Sequence, residues 1–342
     1  RGFAIDTIMQ GIKIDLLALG IKMDRFSSER ALVNSGAVGR AIDKLQQDGH
    51  LYQGVLQPPK GKEPEGWEPR KQLLFRASVF GDDTDRPLQK SDGSWTYFAA
   101  DVAYHLDKLE RTGGALINIF GADHGGYVKR MTAAVAALSG MQNMLDIKLC
   151  QLVNLLDNGQ PVKMSKRAGT FVTVEDVIEA VGADVIRFIM LTRRNDQTLD
   201  FDFAKVTEQS RDNPVFYVQY AHARACSVIR QFEKDQTIPE TANLNLINDP
   251  AELAVVKMLV GWPKLVESAA RVHEPHRIAF YLVDLASRFH SLWNAGRENP
   301  SLRFILDDDA ATTAARMQLV QATSFVIRTG LNVLSIKALE EM

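Results

Sequence analysis

The sequence predicts two architectures in succession: an α/β region built on a partial parallel sheet, then an all-α region. Three observations carry this. Apolar runs at 115–120 and 147–156 read as buried strands and alternate with helical patterns through the middle of the chain. The β signals stop near Phe203. From there to Met342 the pattern is amphipathic helix, interrupted by polar breaks at 234–250 and 296–309.

The elements follow in order. Ile5, Ile8, Met9, Ile12, Leu16 and Leu19 keep helical spacing, and Gly20 is placed to stop that helix. Val38, Ala41, Ile42 and Leu45 mark a second helix ending near Gly49, and a short strand at 51–56 follows. Residues 58–69, built of Pro, Gly and charge, read as a surface loop. Asp92-Gly93 is a turn leading into a helix at 97–110, whose apolar stripe is Phe98, Val102, Leu106 and Leu109. After the strand at 115–120 comes Gly121-Ala122-Asp123-His124-Gly125-Gly126, then a helix at 127–138 stopping at Gly140. The strand at 147–156 ends in the tight turn Asn158-Gly159. Thr173 with Asp176 three residues on reads as a capping box opening a helix at 177–191.

With 342 residues, 46% apolar and 24% charged, the chain is an ordinary globular protein with room for two or three cores. Lys plus Arg (40) nearly balance Asp plus Glu (42), so no global field points to nucleic acid, and an RNA partner has to be argued from motifs. No apolar stretch approaches a membrane span and no signal-peptide pattern opens the chain, so a cytoplasmic location is expected. The opening Arg1-Gly2-Phe3 without an initiator Met is expected of a piece of a longer protein. Cys150 and Cys226, set in apolar periodic segments, are expected to be buried thiols.

Three segments can carry chemistry. In Lys163-Met164-Ser165-Lys166-Arg167-Ala168-Gly169, two lysines three residues apart with a hydroxyl between them can gather polyphosphate oxygens and neutralise charge on a leaving pyrophosphate; a solvated basic turn is the plain alternative. The turn 121–126 sits at a strand's carboxyl end, where open α/β sheets bind ligands. Gly121 allows close backbone approach, and Asp123 and His124 are placed to touch a ribose or base, although ordinary Gly-rich turns look similar. On the 97–110 helix, Tyr97, Asp101, Tyr104 and Lys108 share a polar face. A carboxylate one turn from a phenol can grip a cation, a guanidinium in particular, though a solvated helix face has the same spacing. No metal site is expected, zinc included: His124 has no His or Cys at ligand spacing, and Pro275 separates His273 from His276.

In their order along the chain the three segments resemble class I aminoacyl-tRNA synthetases, whose signature loop is Lys163-Met164-Ser165-Lys166. The segment from Ser94 to Tyr104 (SWTYFAADVAY) looks like the amino-acid-binding helix of the arginine enzyme. Gly121-Ala122-Asp123-His124 resembles that family's ATP-side turn. The stretch from Asp212 to Arg224 (DNPVFYVQYAHAR) and that from Glu274 to Leu282 (EPHRIAFYL) resemble its helical anticodon-binding domain. The resemblance, closest to the bacterial arginyl-tRNA synthetases, implies a partial Rossmann-like sheet and ATP-dependent activation of L-arginine with Mg²⁺. Transfer to the 3′ end of tRNA(Arg) follows, often with tRNA bound before activation. It assigns Lys163, Ser165 and Lys166 to catalysis, Gly121, Asp123, His124 and Met164 to ATP, and Tyr97 and Asp101 to arginine.

The resemblance also implies a monomer when full length and a division into three parts. These are an insertion and connecting segment (1–90), the second half of the catalytic domain (91–206) and the anticodon-binding domain (207–342). The class's His-x-Gly-His element has no counterpart here, so the chain looks like the carboxy-terminal three-fifths of such an enzyme, expected to be inactive alone. The competing expectation is a synthetase relative that binds tRNA without catalysis. Phe216, Tyr217, Phe280 and Trp293, at helical spacing, are expected in the core of the helical region.

Overall fold

The computed structural model describes residues 2–56, 71–90, 92–162, 172–208 and 213–342. The chain packs as two compact units. One comprises Met23–Leu152 with Asn195–Gln197, and the other comprises Arg1–Lys22, Val153–Arg194 and Thr198–Met342. Helix α1 (Gly2–Ala18) belongs to the second unit and buries none of its residues.

The first unit starts with α2 (Glu29–Asn34), capped by the Ser28 hydroxyl, and α3 (Ala37–Gln47). A small antiparallel sheet follows, of β1 (Leu51–Gly54), β2 (Gln72–Phe75) and β3 (Arg86–Pro87). Helix α4 (Tyr97–Thr112) starts at Thr96, whose hydroxyl accepts the Ala99 N–H, and stops at Gly113 in the left-handed region, φ 63°. Strand β4 (Leu116–Gly121) leads through a 3₁₀ turn at Ala122–Tyr127 into α5 (Val128–Ser139), and β5 (Leu145–Cys150) lies parallel to β4. Val38, Leu45, Phe75, Phe98, Val102, Met131 and Val135 form the core between α3, α4, α5 and the sheets. Its fully buried Leu45, Phe75 and Met131 show why those helices need apolar stripes.

The second unit holds β6 (Val153–Asp157), joined to β7 (Gln160–Pro161) by the turn Asn158-Gly159, both residues at positive φ (49° and 76°). Next come α6 (Val174–Val181), with the Thr173/Asp176 capping box in place, and α7 (Ala183–Met190). Strand β8 (Leu199–Asp202) pairs parallel with β6, and the single turn α8 (Phe203–Val206) follows. Four long helices complete the unit: α9 (Pro214–Glu233), α10 (Pro250–Val272), α11 (His276–Glu298) and α12 (Ala310–Val333). Val218, Leu282, Leu285, Phe289, Met317 and Ile327 fill their common core.

The structure corrects four expectations. The run at 147–156 is not one strand: it breaks at Gln151 and Leu152, and its halves β5 and β6 enter different sheets. Gln151 N–H bonds the Asn195 carbonyl (2.8 Å) and the Asn195 side chain bonds the Leu149 carbonyl (2.8 Å), so a distant segment takes the hydrogen bonds that would have continued the strand. The helix at 177–191 is two helices, because Gly182 at φ 84° ends the first. Cys150 and Cys226 are half-buried rather than buried. Phe280 is 50% exposed, so it is not a core residue. The loop at 58–69 lies outside the described residues.

Candidate functional site

Tyr97 opens α4 and is 83% exposed, with the Lys90 ammonium 6.0 Å from its ring centre. Asp101, one turn further, is half-buried. Both line a cavity of about 650 Å³ together with Arg25, Glu29, Arg40 and Tyr104. The local sequence produces this because positions 97, 101 and 104 fall on one side of α4, while Phe98 and Val102 turn into the core.

The Asp101 carboxylate has a partner that spacing could not show. Tyr127, at the end of the turn after β4, donates its hydroxyl to Asp101 Oδ2. Burial raises the Tyr127 phenol pKa, and the bond to Asp101 adds to it, so Tyr127 is a proton donor over the whole physiological range. The Asp101 carboxylate can still accept further hydrogen bonds, which suits a two-pronged donor such as a guanidinium. The Arg130 guanidinium lies 5.0 Å from the Tyr127 ring centre and 5.8 Å from that of Phe98, in reach of both aromatic faces.

Gly121 ends β4, and a Cβ there would come within 2.6 Å of Asp123 Oδ1, so only glycine leaves room for that side chain to fold back. The Asp123 and His124 side chains are open to solvent (83% and 60% exposed), with His124 Nε2 3.8 Å from Asp123 Oδ2. They therefore stand at the carboxyl end of β4, the edge at which parallel sheets bind ligands. Lys163, Met164, Ser165 and Lys166 lie outside the described residues.

The hairpin that leads into them is fixed by Asp202, only 4% exposed. Its carboxylate accepts the backbone N–H groups of Asn158 (3.1 Å), Gly159 (2.8 Å) and Ala204 (3.2 Å). Over forty residues separate Asp202 from the turn it holds, and nothing local marks the pairing. Among the described residues no group of three or more His, Cys, Asp or Glu is placed to hold a metal ion. No described helix is long and apolar enough to cross a membrane.

A short parallel sheet with a Gly-rich turn, followed by a helical domain, is an organisation shared with solved aminoacyl-tRNA synthetases. The methionyl-tRNA synthetase of Mycobacterium tuberculosis shares the fold, with a TM-score of 0.64 over 93% of this chain and 75% of that one, at 14% identity. Residues 218–342 match the DALR anticodon binding domain. A solved structure described as an arginyl-tRNA synthetase of Campylobacter jejuni superposes with a TM-score of 0.81 at 32% identity, over the whole chain and 69% of its own. The arginine–tRNA ligases of Rhodospirillum rubrum and Ruegeria pomeroyi are 56% and 57% identical over all of this chain. The chain belongs to the arginyl-tRNA synthetase family. It spans about three fifths of the length of those curated relatives (59% and 60%).

Proposed function

We propose that the chain supplies the arginine-binding helix, the lysine loop and the anticodon-binding domain of an enzyme that activates L-arginine with ATP and passes it to tRNA(Arg). The arginine carboxylate attacks the α-phosphorus of ATP, the α–β phosphoanhydride bond breaks, and arginyl-adenylate and pyrophosphate form. A ribose hydroxyl at the tRNA 3′ end then takes the arginyl group and AMP leaves. The observation that carries the reading is the half-buried Asp101, paired by Tyr127 and sharing one cavity with Tyr97. A carboxylate held as an acceptor beside an aromatic ring suits a planar cation. Asp101 takes the guanidinium and Tyr97 packs beside it. Gly121, Asp123, His124 and Met164 serve the nucleotide, and Lys163, Ser165 and Lys166 stabilise the departing pyrophosphate. Mg²⁺ would travel with the phosphates, since it keeps waters and needs only one or two carboxylates; Asp123, exposed at the β4 turn, fits that demand.

In this reading 1–90 form the insertion and connecting segment, 91–206 the second catalytic half and 207–342 the tRNA-binding part of a cytoplasmic, monomeric enzyme. In the helical unit the Arg224 guanidinium lies 4.4 Å from the Tyr220 ring centre and 4.6 Å from that of Trp293, beside a cavity of about 410 Å³ that also reaches Met342. Stacked guanidinium and aromatic surfaces suit unpaired bases. Asp101→Asn in the full-length polypeptide tests the arginine assignment. The expected result is at least a tenfold loss of arginine affinity with weakened discrimination against citrulline, because a buried guanidinium without its carboxylate is costly. A change under about threefold, less than ~1 kcal/mol, places Asp101 outside the pocket.

A further inference from the structure

Behind the exposed face of α4 lies a polar chain that none of the assigned roles uses. His105 and Asn118 are buried, 3% and 5% exposed, among residues that are otherwise apolar. His105 Nδ1 lies 2.7 Å from the Asp101 backbone carbonyl, and its Nε2 lies 2.7 Å from Asn118 Nδ2. Asn118 Oδ1 in turn accepts from the Lys108 ammonium at 2.8 Å. Lys108 also lies 4.6 Å from the centre of the Tyr104 ring.

These contacts admit one assignment of protons. A lysine ammonium only donates, so it must face the amide oxygen of Asn118. The amide NH₂ must then face His105, whose Nε2 has to be a bare acceptor. The single imidazole proton sits on Nδ1 and donates to the Asp101 carbonyl. Protonating Nε2 would set two donors against each other, and flipping the amide to relieve that would set its NH₂ against Lys108. Burial also lowers the pKa of both His105 and Lys108, with Lys108 adding to the shift on His105 and Asp101 opposing it. The charged groups acting on His105, Asp101 and Lys108, are both on α4, and the contact from β4 is the neutral Asn118.

The chain joins α4, which carries Tyr97 and Asp101, to β4, which ends at Gly121 and leads to Asp123 and His124. Apolar faces can slide past one another by small steps, but a satisfied buried hydrogen-bond chain fixes one register. We propose that His105, Asn118 and Lys108 are positioning residues forming a register lock that sets the amino-acid-binding helix against the nucleotide-side turn. The proposal rests on the functional reading above. It predicts that breaking the lock leaves each substrate able to bind its own element, while the reacting atoms lose their alignment.

Two measurements test it. Nitrogen-resolved NMR of the His105 ring in the 342-residue chain should show Nδ1 protonated and Nε2 bare, with no titration near the ordinary value of about 6.5. The opposite tautomer, or titration at that ordinary value, overturns the lock. In Lys108→Met the amide is released and His105 should titrate at a higher pH than in the parent, whereas Lys108→Gln, which can still donate to Oδ1, should restore the parental behaviour. If Gln and Met behave alike, the effect is one of charge alone and the lock is refuted.

In the full-length polypeptide, Asn118→Leu should lower kcat for arginine-dependent pyrophosphate exchange at least tenfold, with KM for arginine and ATP within threefold. A rise in KM at unchanged kcat contradicts the positioning role. No arginine-dependent exchange by the unaltered polypeptide would instead overturn the functional reading, leaving the tautomer to report on packing alone.

Discussion

Arg316→Met removes the centre of the most buried ion pair among the described residues of the helical unit, and the structure sets the expected cost. Arg316 and Glu252 side chains are 6% and 1% exposed. The guanidinium donates to Glu252 Oε1 (2.6 Å), the Ser301 carbonyl (2.6 Å) and the Arg303 carbonyl (2.8 Å), tying α12 to α10 and to the 301–303 turn. Breaking one side of a buried pair costs about 3–5 kcal/mol. Glu252 keeps two partners, the backbone N–H groups of Asn248 (3.2 Å) and Asp249 (3.1 Å), as part of the α10 capping box. That places the expectation at the lower end, about 3 kcal/mol. The chain has two compact units, so one global unfolding free energy is ill-defined and the readout must be local. Amide hydrogen exchange in α10 and α12 should speed up by roughly a hundredfold, the equivalent of ~3 kcal/mol. Adding Glu252→Gln to Arg316→Met should cost less than the sum of the two single changes. Acceleration below about fivefold, ~1 kcal/mol, would show that this ion pair does not hold α10 and α12 together.

Two further perturbations act on the same unit. Gly330→Ala puts a Cβ 2.6 Å from Leu282 Cδ2, and Leu282 is fully buried, so overpacking should destabilise α12 by about 1–3 kcal/mol. Amide hydrogen exchange in α12 measures it, and Leu282→Val in the same chain should recover part of the loss. His290, whose pKa burial lowers to about 4, is neutral in the folded protein, with Nδ1 facing the Arg224 guanidinium (2.9 Å) and Nε2 facing the Tyr217 carbonyl (3.2 Å). The unfolded chain takes up a proton near pH 6.5 that the folded one refuses. This contribution is therefore intact above about pH 6.5 and fades as pH falls toward 4, by on the order of 3 kcal/mol. Stability of the helical unit followed from pH 7 to 4 should drop less in His290→Gln, and an equal drop in both proteins excludes His290 as the cause.

What could be read in the sequence was what is contiguous or periodic. The stripe Phe98, Val102, Leu106 gave α4 its face, and Thr173 with Asp176 gave α6 its start, because each signal lies within two turns. The run at 147–156 misled because its break depends on Asn195, a tertiary partner. Gly182 was a legible warning inside a helical pattern. Tyr97 and Asp101 share a face that one helix's spacing makes visible, but Tyr127 reaches Asp101 only after the chain has passed through β4 and its turn. Asp202 and the His105–Asn118 bond escaped for the same reason: their geometry is made by the sheet, and no local pattern encodes it.

The proposed function gives this chain the arginine-binding and pyrophosphate-releasing parts of an arginyl-tRNA synthetase. Its most direct test is arginine-dependent ATP–pyrophosphate exchange in the presence of tRNA(Arg), by this chain joined to the amino-terminal part of a relative. Exchange is expected with arginine and not with citrulline or lysine. Lys166→Ala should lower the rate by about a hundredfold or more, with arginine affinity held within threefold, since that charge is needed only as pyrophosphate departs. Exchange unchanged by Lys166→Ala, or equal exchange with lysine, would contradict it.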